Sequence, residues 1–147
     1  MESGSAKSSI WKRSFDLEWL NEFSKGCMVS HVGIEFIEIG TDYLSAQMPV
    51  DARTTQPLGL LHGGASVVLA ETLGSTAAHC CVQENQFCVG IEINANHVRG
   101  VKAGTVVGVA RPVHLGRKTH VWETKISDPD GRLVSTSRMT LAVLEKK

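Results

Sequence analysis

From Leu60 to Val82 the apolar positions run almost all the way round a helical turn. Ala65, Val67, Val68, Leu69, Ala70, Leu73, Ala77 and Ala78 leave no broad polar face, the pattern of a helix buried on every side rather than along one stripe. The spacing predicts a long helix from about His62 to about Val82, entered through Gly63-Gly64 and carrying one carboxylate, Glu71, near its middle. Elsewhere the period changes to two. Val32–Ile39 and Tyr43–Val50 alternate partly or fully, with Gly40-Thr41-Asp42 as the turn of a hairpin. Ahead of them, Asp16 is an N-cap candidate for Leu17, Leu20 and Phe23 at helical spacing, and Gly26 stops this short helix. Asp51–Leu58 is a polar loop ending in Gln56-Pro57. After Gln83–Gln86, strands are expected at Cys88–Arg99, Thr105–Leu115, Thr119–Ser127 and Arg132–Leu144, with Gly116-Arg117-Lys118 and Asp128-Pro129-Asp130-Gly131 as turns. A helix, two strands, a long helix and four strands contain no βαβ alternation. The class is α+β, an antiparallel sheet with one long helix packed on it.

The 147 residues suffice for one domain with a real core, expected over 10–147. Met1–Ser9 is small and polar and reads as a disordered tail or an expression scar. Fifteen basic residues balance fifteen acidic ones, which argues against nucleic acid or an anionic membrane surface as partner. No apolar run approaches the roughly 20 residues of a membrane span, and no signal-peptide pattern opens the chain, so a cytoplasmic location is expected. The four cysteines, Cys27, Cys80, Cys81 and Cys88, form no metal-binding spacing and are expected to be buried, reduced thiols.

Chemistry concentrates on the long helix. Burying an unpaired carboxylate costs several kcal/mol, about the size of a folding margin, so Glu71 among Val67, Leu69, Ala70 and Leu73 needs a reason. It is a solvated helix residue, which the apolar neighbours argue against, one half of a buried ion pair, or a carboxylate that attacks a carbonyl or activates water. Gly63 and Gly64 permit a tight helix entry, and they also leave N–H groups open at the positive end of the helix, where they can stabilise a developing oxyanion. Ser75 follows Glu71 at i+4 and shares its face. No Gly-x-Ser-x-Gly elbow exists for a serine triad. His97, Arg99, His114, Arg117 and Lys118 near strand ends are either exposed edge charges or a grip for phosphate.

Pro49-Val50-Asp51, Gln56-Pro57, the block Leu60 to Ser66, the block Leu69 to Ser75, Glu92-Ile93-Asn94-Ala95-Asn96-His97 and His114-Leu115-Gly116-Arg117 together resemble hotdog acyl-CoA thioesterases. The similarity is strongest to 1,4-dihydroxy-2-naphthoyl-CoA thioesterases and to the proofreading thioesterases of enterobactin synthesis. It covers about Ile10 to Leu144. The resemblance implies a hotdog fold, a sheet wrapped around one central helix. It implies Glu71 as catalytic carboxylate, Gly63 as amide donor, Gln56 and His62 beside the thioester, and Ser75 near substrate or water. His97, Arg99, His114, Gly116 and Arg117 would bind coenzyme A. No cofactor or metal is implied, since coenzyme A is part of the substrate. Homodimers paired into tetramers are implied, with sites between subunits. Competing expectations are action on a misacylated carrier protein and a non-catalytic acyl-CoA sensor.

Overall fold

A computed structural model describes residues 8–147; most of the expected N-terminal tail, residues 1–7, lies outside them. The elements run α1 (Leu17–Phe23), α2 (Met28–His31), β1 (Glu35–Ile39), β2 (Leu44–Val50), α3 (Gly63–Cys80), β3 (Gln86–His97), β4 (Gly104–Leu115), β5 (Thr119–Ser127) and β6 (Leu133–Glu145). All six strands form one antiparallel sheet in the order β1-β2-β4-β5-β6-β3. The chain leaves the sheet after β2, crosses through α3, and re-enters at the far edge as β3. The sheet therefore curls around α3, which touches β2, β3, β4, β5 and β6. This is the hotdog layout.

Local chemistry explains the elements. Asp16 caps α1 by accepting from Trp19 N at 2.8 Å, and the amide side chain of Asn21 clips α1 to β1 by bonding both the N–H and the C=O of Phe36. The core lies between α3 and the concave face of the sheet, where Leu69, Leu73, Leu44, Met48, Val106, Trp122 and Leu141 are fully buried. The four-residue α2 has no periodic signal in the sequence, being too short to show one.

The predicted long helix ends two residues early, at Cys80. There the backbone N–H groups of Lys12 and Arg13 take the Cys80 carbonyl at 2.9 and 3.3 Å. Arg13 then satisfies the carbonyls of Val82 (3.1 Å), Gln83 (2.7 Å) and Gln86 (2.6 Å). A cation that caps the negative end of the helix and ties down three carbonyls contributes through charge-assisted bonds. Arg13→Ala is expected to lose about 3 kcal/mol, and with it about 6–10 °C in Tm by calorimetry. A shift under 2 °C would deny Arg13 this role.

One expectation fails. The helix α3 is not covered on every side: Ser66, Leu69, Ala70, Leu73, Gly74, Ala77, Ala78 and Cys80 are buried, but His62, Gly64 and Glu71 are exposed. An apolar circumference signals what a helix can bury, and a single chain covers only the face toward the sheet. Cys27 is likewise exposed, against the expectation for the thiols, because it lies at the N-cap of α2 on the surface. No helix among the described residues is long and apolar enough to cross a membrane.

Candidate active site

The loop before α3 is tightly specified. Thr54 bonds Pro49 O through its hydroxyl at 2.7 Å, and its own carbonyl accepts from His62 N at 2.8 Å. Leu61 N donates to Val101 O at 2.7 Å, which fixes the entry to the helix. Gln56 folds back so that its side-chain oxygen accepts from Leu58 N. An N–H needs an acceptor, so that oxygen is committed and the amide N–H₂ of Gln56 remains to meet a ligand.

The first turn of α3 has a similar logic. His62 is the N-cap, and its Nδ1 accepts from Gly64 N at 2.8 Å. The N–H groups of Ala65 and Ser66 both reach His62 O, at 2.9 and 3.2 Å. Among these opening amides, Gly63 N–H is left without an acceptor among the described residues. A Cβ on Gly63 would lie 2.8 Å from Nε2 of His97, so only glycine admits this close approach of β3. Gln56, Gly63, Ser66, His97 and Arg99 line a cavity of about 240 Å³. A bare N–H at a helix N-terminus, an amide donor and an imidazole converge there, the equipment for holding a polarised carbonyl.

Glu71 stands eight residues on, roughly 12 Å along the axis. It faces β3, where a Cβ on Gly90 would lie 3.3 Å from its Oε1. It makes no hydrogen bond or ion pair among the described residues and is exposed, so burial does not explain it. The reason is its neighbour. β3 is an edge strand with a bulge between Gly90 and Glu92, and Val89 and Ile91 beside Glu71 are 41% and 65% exposed. Ser75, one turn further, opens onto a second cavity of about 330 Å³ with Trp19, Phe23, His79 and Cys88. Within one chain the Gly63 end and the Glu71 end of α3 therefore stand apart.

The predicted basic cluster is divided. His97 and Arg99 belong to the Gly63 end. His114 near the end of β4 and Gly116, Arg117 and Lys118 of the β4–β5 turn lie at the opposite end of the sheet, since Leu115 pairs with His120 while His97 pairs with Ser135. That turn borders a cavity of about 680 Å³ with Trp11, Lys12, Gln83 and His120. His120 is buried with Nδ1 unpartnered among the described residues, and burial, then the charges of Lys12 and His114, hold its pKa below the ordinary value. Sequence reasoning gave no site role to Lys12, His120, Trp19, Phe23 or His79. Lys12, Trp19 and Phe23 lie far from the motif blocks and meet them only in space, while His79 and His120 stand just past the ends of two blocks. Burial pushes the Cys80 and Cys88 thiols up to about 11 and Cys81 to about 12, so none of these three is an activated nucleophile.

Comparison with known proteins agrees with this architecture. Residues 58–135 match the Thioesterase superfamily model. The chain is 55% identical over 135 residues to a 1,4-dihydroxy-2-naphthoyl-CoA hydrolase of Escherichia coli, covering 92% of this chain and 99% of that one. It is 53% identical over 135 residues to the proofreading thioesterase EntH of Cronobacter turicensis, covering 92% and 98%. The crystal structure of a Haemophilus influenzae thioesterase superposes with a TM-score of 0.91 at 48% identity, covering 92% of this chain and 95% of that one. With the wrapped sheet and these relatives in agreement, the chain belongs to the thioesterase superfamily and is a hotdog-fold thioester hydrolase.

Proposed function

We propose that this enzyme hydrolyses an aryl-coenzyme A thioester of the 1,4-dihydroxy-2-naphthoyl type, at sites assembled between two copies of the chain. The observation that carries the reading is the pair of unmatched groups on α3, the Gly63 N–H and the Glu71 carboxylate, too far apart in one chain to act on one atom. Pairing of two β3 edges brings the Glu71 half of one copy to the Gly63 half of the other. The thioester oxygen is then held by Gly63 N–H and the Gln56 amide, with His62 fixing the loop and Ser75 beside the substrate. Glu71 attacks the carbonyl carbon, the thiolate of coenzyme A leaves, and water opens the mixed anhydride to the acid. In the other route Glu71 takes a proton from the attacking water. Neither route needs a metal or cofactor. His97 and Arg99 of the copy that supplies Gly63, together with His114, Gly116 and Arg117 of the other copy, grip the nucleotide and pantetheine end, arginine's fork suiting phosphate. We assign the reaction to the cytoplasm and the assembly to a dimer, paired into a tetramer.

Resemblance to the proofreading thioesterase supports a second reading, removal of wrong aryl groups from a carrier-protein arm, which uses the same residues. Thiol release from 1,4-dihydroxy-2-naphthoyl-CoA, benzoyl-CoA, palmitoyl-CoA and an aryl-loaded carrier protein separates these. The aryl-CoA substrates are expected to turn over at least tenfold faster than palmitoyl-CoA, in line with pocket discrimination by shape. Turnover of the carrier protein alone would install the second reading. Tight acyl-CoA binding without hydrolysis would indicate a sensor.

A further inference from the structure

One helical turn beyond Glu71, the 330 Å³ cavity lies between α1, α3 and β3. Trp19 and Phe23 stack there with centroids 5.0 Å apart and planes inclined by 10°, and both rings remain open to solvent. Parallel aromatic rings beside an apolar hollow suit a flat aromatic guest. Ser24, Ser75 and Thr76 bring hydroxyls to the wall, and His79 brings its imidazole. Its Nε2 lies 2.6 Å from a terminal nitrogen of Arg13. A guanidinium only donates and does not lose its proton, so Nε2 is an acceptor and the single ring proton resides on Nδ1. Arg13 is itself held by the carbonyls of Val82, Gln83 and Gln86, so the fold dictates this tautomer. Burial, then the charges of Arg13 and Lys146, lower the His79 pKa and keep the ring neutral. Nδ1–H has no acceptor among the described residues, and a half-buried donor left unmatched favours a guest that brings an oxygen.

We propose that His79 selects the acyl group, its Nδ1–H donating to a hydroxyl oxygen on the aryl ring, and that Arg13 is the positioning residue that holds the donor tautomer. This rests on Glu71 meeting the thioester carbon. His79 lies eight residues past Glu71, roughly 12 Å of helix; about 3 Å of approach at each end leaves about 6 Å, the span of a ring with a hydroxyl meta or para to the carbonyl. The arrangement explains why an imidazole stands beside the stacked rings, and why a cation from outside the helix is held against it.

The test compares kcat/KM for 3-hydroxybenzoyl-CoA, 4-hydroxybenzoyl-CoA and benzoyl-CoA in the wild type, His79→Leu and His79→Asn. The wild type should favour one hydroxylated ring over the bare ring by roughly tenfold or more. His79→Leu should bring that ratio near one, and His79→Asn, whose amide N–H stands near the Nδ1 position, should restore part of it. An equal ratio in the wild type, or an unchanged ratio in His79→Leu, overturns the proposal while benzoyl-CoA hydrolysis still supports the Glu71 reading. Failure of the wild type on every aryl-CoA, with alkanoyl-CoA cleaved, overturns both. A nitrogen-15 histidine spectrum of the wild type decides the matter even if His79→Leu does not fold. The His79 Nδ1–H signal should move on adding 3-hydroxybenzoate and not benzoate. A protonated Nε2, or equal movement with both acids, removes the donor and the proposal with it.

Discussion

Glu71→Gln is expected to lower kcat on an aryl-CoA thioester by a hundredfold or more, with no loss of stability. A positioned acid, base or nucleophile contributes on the order of 10²–10⁴ in rate, and glutamine keeps the shape of the side chain while removing the negative charge. The structural cost is small for a specific reason. Glu71 is exposed, takes part in no hydrogen bond or ion pair among the described residues, and is replaced by a residue of equal helix propensity, so Tm should hold within about 1–2 °C. Steady-state thiol release beside a thermal melt measures both. An active Glu71→Gln enzyme would remove the carboxylate from the mechanism. Repeated turnover of the wild type in heavy-oxygen water then divides the two routes. Attack by Glu71 places label in its own carboxylate, whereas base catalysis leaves it unlabelled. Mixing Glu71→Gln chains with Gly63→Val chains adds a geometric check, since a mixed pair contains one intact combination of halves and should recover part of the activity.

Ile91→Lys should convert the active assembly into an inactive monomer at low protein concentration. Ile91 is 65% exposed at the bulge of a twelve-residue edge strand, beside Val89 at 41%. A long edge with exposed apolar side chains is a template for pairing, and a lysine there is the device by which natural sheets prevent it. The loss of turnover should reach about a hundredfold under dilute conditions, the scale for removing the oxyanion donors from the carboxylate's reach, and should reverse as concentration rises. Light scattering and an activity dilution series check it together. Full turnover by a chain that scatters as a monomer would mean that one copy closes its own site, and the 12 Å between Gly63 and Glu71 would need another explanation.

These predictions depend unequally on sequence and on structure. The order of elements was legible in the residues: the change from helical to alternating period marks α3 and the strands, and the Asp128–Gly131 turn ends β5 where expected. Boundaries slipped where tertiary bonds intervene, as at Cys80, whose carbonyl is claimed by Lys12 and Arg13 from 67 to 68 positions away in sequence. The candidate residues were legible by type and spacing, because Gly63 at a helix entry and Glu71 in an apolar run are local patterns. Their separation was also local, eight residues of helix.

What the sequence by itself determined is therefore the α+β layout, the long helix and the candidate groups along it, since periodicity, glycine entry and helix spacing act within a few turns. Tertiary structure alone decided the rest. Sending β3 to the sheet edge leaves Glu71 uncovered, where the apolar pattern had suggested burial. The sheet ends separate His97 and Arg99 from His114 and Arg117, which a linear reading grouped by charge. Packing of the N-terminal segment across the end of α3 brings Arg13 to His79 and fixes its tautomer. Each of these depends on contacts between residues distant in the chain, and the free energy of such contacts has no signature in the local pattern that precedes them.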